Sequence, residues 1–267
     1  MRLVAAIVIA AIALSTAPAR AQYTNSYGYS FNNPVSATAN QYVWDGINRR
    51  LLLRMLLKKR GYTDAQLGKM STAEMKAIIE GGASTAPAPK VAAAKTYPTA
   101  SRFKPKKQRV LVATIVNNLV ADPAQRTALI EMFDGSLKAY EVEARKIGFE
   151  NDLAGAMAFF IGAAYMVHHD GLEPDEHGIE LLAVGLREQM ATAEFAKVSA
   201  LDKQKFYELM LVLGTFLVVG HQQAVNDGDT ATATSLKAAA GDALKGFLKL
   251  DPASFKLTAN GLELIQN

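Results

Sequence analysis

The sequence predicts an all-α protein: a single helical bundle of about six helices, preceded by a basic helical arm and a Pro/Ala linker. Three observations predict it. From residue 110 onward, apolar residues recur at helical spacing between start and stop signals, and the connecting turns are short. Half of the residues are apolar and 20% are charged, the balance of globular material rather than of a disordered chain. Two apolar stretches, 153–167 and 209–220, fall short of the about 20 residues that a membrane-spanning helix needs, so both are expected inside a protein core.

Residues 1–21 read as a signal peptide. Met1-Arg2 supplies the positive end, residues 3–14 are an unbroken run of Leu, Val, Ile and Ala, and Ala19-Arg20-Ala21 fits signal peptidase with cleavage before Gln22. The expected localisation is therefore exported, periplasmic or secreted, with no transmembrane span once the signal is removed. No cysteine follows the cleavage site, so lipidation there is excluded. The chain has no cysteine at all, which removes thiol catalysis, disulfide exchange and Cys-ligated zinc from consideration.

Residues 22–36 are rich in Tyr, Asn and Ser, lack helical periodicity, and read as a flexible N-terminus of the mature chain. Residues 37–82 form the basic helical arm. Its first helix runs through RRLLLRMLLKKR to Arg60 and stops at Gly61. Another starts at Ser71, which with Glu74 makes a capping-box pair, and ends at Gly81-Gly82. Residues 83–109 are a linker by composition: Ala, Pro, Ser, Thr and Lys, with four prolines and no acid.

The bundle occupies residues 110–250. Its first helix ends before Asp122-Pro123, an N-cap and N1 pair that opens the second. The second runs to Ile147, with Gly148 beyond it. Asn151 or Asp152 caps the third, which reaches about His168. Pro174 opens the fourth, ending near Lys197, and Asp202 caps the fifth, which reaches about Val225. The sixth runs from about Thr230 to Leu250, and residues 251–267 are a C-terminal tail with Asn260-Gly261 as a turn. Gly costs about 1 kcal/mol in a helix interior. Its frequency in the third and fifth helices, with many alanines in the third, points to close helix–helix approach, making these two the central pair.

Charge is divided between the two parts. Residues 22–109 carry 15 Lys and Arg against 4 Asp and Glu, whereas residues 110–267 carry 12 against 21. Residues 49–60 are half Lys or Arg, but their apolar positions do not segregate to one helical face, so the segment is not a clean membrane-surface amphipath. An anionic surface remains a candidate partner for residues 49–60, beside solvation and packing on the acidic bundle. Residues 49–80 also resemble small helix–extended–helix nucleic-acid modules, in Lys58-Lys59-Arg60-Gly61 and Ser71-Thr72-Ala73-Glu74-Met75. Export argues against nucleic acid as the partner.

No active site is visible. His168, His169, Asp170 and His177 lie within ten residues and suit a first-row metal by type, but they match neither a His-Glu-x-x-His frame nor an EF-hand loop. Acids at a helix start and histidines at a helix end complement the backbone dipole, which accounts for the same residues without a metal. His221 cannot reach Glu208 within one helix, since thirteen residues separate them. There is no Gly-x-Ser-x-Gly elbow and no phosphate-cradling glycine loop. No catalytic, cofactor-binding or metal residue is assigned, and no cofactor is expected.

Residues 103–264 resemble a family of exported bacterial proteins known only as a domain of unknown function. The likeness rests on Tyr140-Glu141 with Ala144, on Gly148 followed by Asn151-Asp152-Leu153-Ala154 with Ala156, on Lys203-Gln204 with Tyr207-Glu208, and on Leu257-Thr258 with Gly261-Leu262. It implies a helical exported domain without an assigned activity and brings no catalytic residues. Asn151-Asp152 is read as a helix cap, with a role toward a ligand or partner as the other account. The preferred function is non-enzymatic: binding of an unknown protein or envelope component. The alternative is a metal-dependent hydrolase using the His168–His177 cluster.

Overall fold

The computed structural model describes residues 97–265 and, before them, residues 53, 57, 60–63, 66, 67, 70 and 72–80. The signal peptide, residues 22–36, most of 49–60 and the Ser71 cap lie outside the described residues.

In the arm, α1 (Thr72–Glu80) contributes Met75 to a small core with Leu53, Leu57 and Leu67, against which Tyr62, Ile78 and Ile79 pack. Leu53 and Leu57 are one helical turn apart, so their side chains project to the same side. The last carbonyls of a helix lack internal donors. Arg60 supplies them for α1: Nη1 donates to the Ile78 carbonyl at 2.9 Å and Nη2 to that of Ile79 at 3.4 Å. One arginine of the basic run is therefore structural.

The larger unit comprises α2 (Val112–Leu119), α3 (Pro123–Lys146), α4 (Leu153–His168), α5 (Glu176–Met190), α6 (Ala193–Ala196), α7 (Ala200–Asn226) and α8 (Thr230–Leu248), then a 3-10 turn, Pro252–Ser254. A hairpin follows, β1 (Phe255–Thr258) paired antiparallel with β2 (Gly261–Leu264), in the register Phe255 with Leu264 and Thr258 with Gly261. The architecture is the expected all-α bundle. Side-chain oxygens open its helices: Asp122 accepts from Gln125 N–H, Asp152 from Ala154 N–H, Asp175 from Gly178 N–H and Asp229 from Thr232 N–H. Each satisfies one of the four donors that a helix start leaves open.

The centre is α4. Every residue from Leu153 to Val167 except Met166 is buried, as suits a helix apolar on all sides. Its most extensive neighbour is α7, followed by α5 and α8. Small residues set these distances. A Cβ on Gly214 of α7 would lie 2.7 Å from the Phe159 ring of α4, and one on Gly162 would lie 2.9 Å from Ile179 of α5. By length and composition α7 could cross a membrane, yet here it is a core helix whose buried Gln204 and Glu208 are engaged by the chain before α2.

Four expectations need correction. Residues 97–109 are not linker: Ala100 and Ser101 are buried, and the Phe103 ring sits edge-on to Tyr207 at 5.2 Å. Composition missed this because the partners are supplied from far along the chain. Lys106 N–H donates to Gln204 Oε1, and the Val110 and Leu111 N–H groups both donate to Glu208 Oε2. The bundle therefore begins before residue 110. Nor does it end at 250, because the hairpin packs on α5 so closely that a Cβ on Gly178 would meet the Thr258 carbonyl oxygen at 1.9 Å. The fourth helix breaks at Ala191, whose carbonyl accepts from Tyr97 N–H, and Thr192 recaps the chain for α6. Finally, Ser199 rather than Asp202 caps α7: the Ser199 hydroxyl accepts from Asp202 N–H at 3.1 Å and lies 2.7 Å from the Asp202 carboxylate.

Candidate functional site

The cleft that could hold a ligand lies between the C-terminal half of α3 and the start of α5. It encloses about 240 Å³. Tyr140, Ala144, Ile147, Phe149, Gly155, Ala158, Phe159, Pro174, Ile179 and Ala183 form an apolar lining, and Glu143, Lys146, Glu173, Glu176 and Glu180 supply its charged groups. The charges are four acids against one lysine, and that lysine is held by Glu143 at 2.7 Å.

The floor holds Tyr140 and Phe159, the near end of an aromatic row that continues behind it. Phe103 meets Tyr207, Tyr207 meets Tyr140 at 6.0 Å, and Tyr140 meets Phe159 at 5.3 Å, all edge-on, the arrangement that the ring quadrupole favours. Gly155 makes room for it, because a Cβ there would lie 2.7 Å from the Tyr140 hydroxyl. Burial pushes both tyrosine hydroxyls far above the ordinary phenol range. For Tyr140 the nearby negative charges of Asp152 and Glu141 act in the same direction. The cleft thus ends on a neutral phenol, not on a base.

Behind Phe149 stands a buried ion pair. Asp152 is fully enclosed; one carboxylate oxygen caps α4 and the other accepts from Arg187 Nε at 2.8 Å and lies 2.7 Å from Nη2. The Arg187 guanidinium lies 3.8 Å over the Phe149 ring and donates to the Gly148 carbonyl at 2.8 Å. Arg102, bridged to Asp152 through the backbone, donates to the same carbonyl at 3.2 Å. Asn151 takes a φ of 50° and Gly148 one of 76°, so this turn uses the left-handed region twice. Asp152 is therefore a cap and a charge anchor together, and Asn151 holds the turn and accepts Phe103 N–H on its carbonyl. Asn151 also borders a second, wider cleft of about 560 Å³ beneath residues 105–109, where Arg109 and Glu141 form a two-pronged pair at 2.6 and 3.0 Å.

The His168–His177 cluster does not converge. His168 Nδ1 faces the Lys237 carbonyl at 3.4 Å, and its ring lies against Gly241. The His169 ring packs at a tilt against Tyr165 with centroids 4.3 Å apart. Asp170 is taken by Lys237, and exposed His177 turns to Glu180 of its own helix at 3.5 Å. Among the described residues no three or more His, Asp or Glu side chains are placed to share a metal. Sequence proximity failed here because α4 ends at His168, where His168 and Asp170 both turn to Lys237 of α8 while His169 turns to Tyr165 and His177 to Glu180. Of the residues that line the cleft, Tyr140 and Ala144 carry the family likeness, Ile147 and Pro174 mark helix ends in the sequence, and Glu173 and Glu176 fall within the His168–His177 cluster; none of them reads from sequence as part of a cleft. The scatter of Glu143, Glu173, Glu176 and Glu180 around apolar positions was the remaining signal, and it requires the α3–α5 juxtaposition to be read.

The chain belongs to a family of unknown function, DUF6683, whose profile matches residues 1–265. The match is wider than the 103–264 likeness and takes in the arm and the N-terminus. No curated protein and no solved structure matches the chain.

Proposed function

We propose that this DUF6683 chain is an exported, non-catalytic binding protein whose basic arm engages an anionic component of the cell envelope. One observation carries the reading. The arm closes a small core of its own from Leu53, Leu57, Leu67 and Met75, apart from the bundle core. Among the described residues, the arm's core side chains are thus committed to each other, and what the arm offers a partner is charge: 8 basic against 4 acidic residues over 37–82. Such a surface attracts anions over about a Debye length, ~8 Å at physiological salt, and the attraction weakens as salt rises. The metal-dependent hydrolase alternative gains no support, since no three His, Asp or Glu side chains among the described residues are placed to share a metal.

The test keeps the full mature chain. Arg49, Arg50, Arg54, Lys58 and Lys59 are replaced by Gln, sparing Arg60 because it holds the end of α1. Sedimentation with anionic vesicles and with isolated envelopes is expected to fall steeply with salt for the native chain and to be lost in the variant. Association that is indifferent to salt and to these substitutions rejects the proposal. N-terminal sequencing of the protein from a periplasmic or culture fraction is expected to begin at Gln22; a retained Met1 rejects export by this route.

A further inference from the structure

We propose that the cleft between α3 and α5 is a binding site for an organic ammonium compound, an apolar ring or chain bearing one cationic nitrogen. This inference concerns the bundle alone and stands whether or not the arm binds anions. An engineered apolar cavity of about 150 Å³ accepts benzene, and the cleft, at about 240 Å³, has space for one aromatic group with a short tail. Tyr140, Phe159 and Ile179 give that group an apolar bed. Nothing in the bed is charged, and burial keeps the Tyr140 phenol neutral.

The rim selects the sign of the ligand. Glu143, Glu173 and Glu180 stand around the bed, and the one lysine among the lining residues is already paired to Glu143. Glu173 is exposed in the loop before α5, and Glu180 is half-buried with only an imidazole, His177, beside it. An anionic ligand would meet uncompensated carboxylates here. A neutral one would gain the bed but not the rim. Only a cation joined to an apolar body uses both.

Three probes of matched shape separate these cases: 4-phenylbutylamine, 4-phenylbutanol and 4-phenylbutyrate, titrated into the mature chain by calorimetry and by amide NMR. The amine is expected to bind once per chain, about tenfold tighter than the alcohol, with the carboxylate weakest. Shifts are expected to centre on α3 and α5. The double substitution Glu173→Gln, Glu180→Gln is expected to erase most of the preference for the amine and leave the alcohol unchanged. Ala183→Leu, which fills the bed, is expected to abolish binding of both while circular dichroism and the unfolding midpoint report an intact fold. If that variant unfolds, the Glu double variant alone carries the test. No binding by any probe, equal binding by all three, amine preference that survives the Glu substitutions, or shifts confined to other elements overturns the proposal.

Discussion

At the scale of single residues, the costliest side chain to lose is expected to be Asp152. Its two oxygens serve different masters: the start of α4 and the guanidinium of Arg187. Removing one partner of a buried ion pair strands the other and costs about 3–5 kcal/mol. Asp152→Ala is expected to destabilise the chain by about that amount in urea unfolding, and Asp152→Asn, which keeps an oxygen for the cap, by less. Equal losses would mean that the charge, not the cap, matters. His169 gives the residue-scale pH dependence. Burial lowers its imidazole below the ordinary 6.5, as do the charges of His168 and Lys237, while Asp170 acts against them. The unfolded chain therefore takes up this proton at higher pH than the folded one. Its contribution is full above the unfolded value and is lost as pH falls through the folded value. The thermal midpoint is expected to drop between about pH 7 and pH 5, and His169→Gln to flatten part of that drop; an unaltered slope would discard the explanation.

At the scale of elements, two glycines make contrasting cases. A Cβ on Gly214 meets the edge of the buried Phe159 ring at 2.7 Å, a side chain that gives way only with its neighbour Tyr140, whereas one on Gly178 meets the Thr258 backbone oxygen, which cannot move without the hairpin. Overpacking costs about 1–3 kcal/mol and is partly offset by the ~1 kcal/mol that Ala gains over Gly in a helix. Gly214→Ala is expected to lower the unfolding midpoint modestly while leaving the hairpin amides protected. Gly178→Ala is expected to displace the hairpin, seen as lost amide protection over residues 255–264, with a clearly lower midpoint. The reverse ranking would show that the hairpin is loosely held. The same scale explains the segment before α2. Its backbone amides find Gln204 and Glu208, roughly a hundred residues away in sequence, so local composition alone reads it as linker.

At the scale of the whole molecule, the charge division and the two separate cores belong together. A basic arm with its own small core and an acidic bundle with a large one share a single chain. The helices and two of their caps were legible because capping is local: Asp122 and Asp152 act within three residues of their own position. The α4–α7 pairing was legible too, since a helix apolar on every side has no place but the centre. The cleft was not, because it exists only where α3 and α5 face each other.

What the sequence determined by itself is everything that depends on neighbours a few positions apart: helical runs, their starts, the Gly-rich central pair, the sign of charge along the chain, and the signal-like first 21 residues as an expectation. Tertiary structure alone decided which distant groups meet. It turned His168 and Asp170 to Lys237, His169 to Tyr165 and His177 to Glu180, closed the backbone of residues 101–111 onto α4 and α7, seated the hairpin on Gly178, and opened an acid-rimmed apolar cleft. The physical reason is one of range. Propensity and capping act within a turn or two of helix, whereas burial and charge pairing depend on distance through space, which sequence separation does not report.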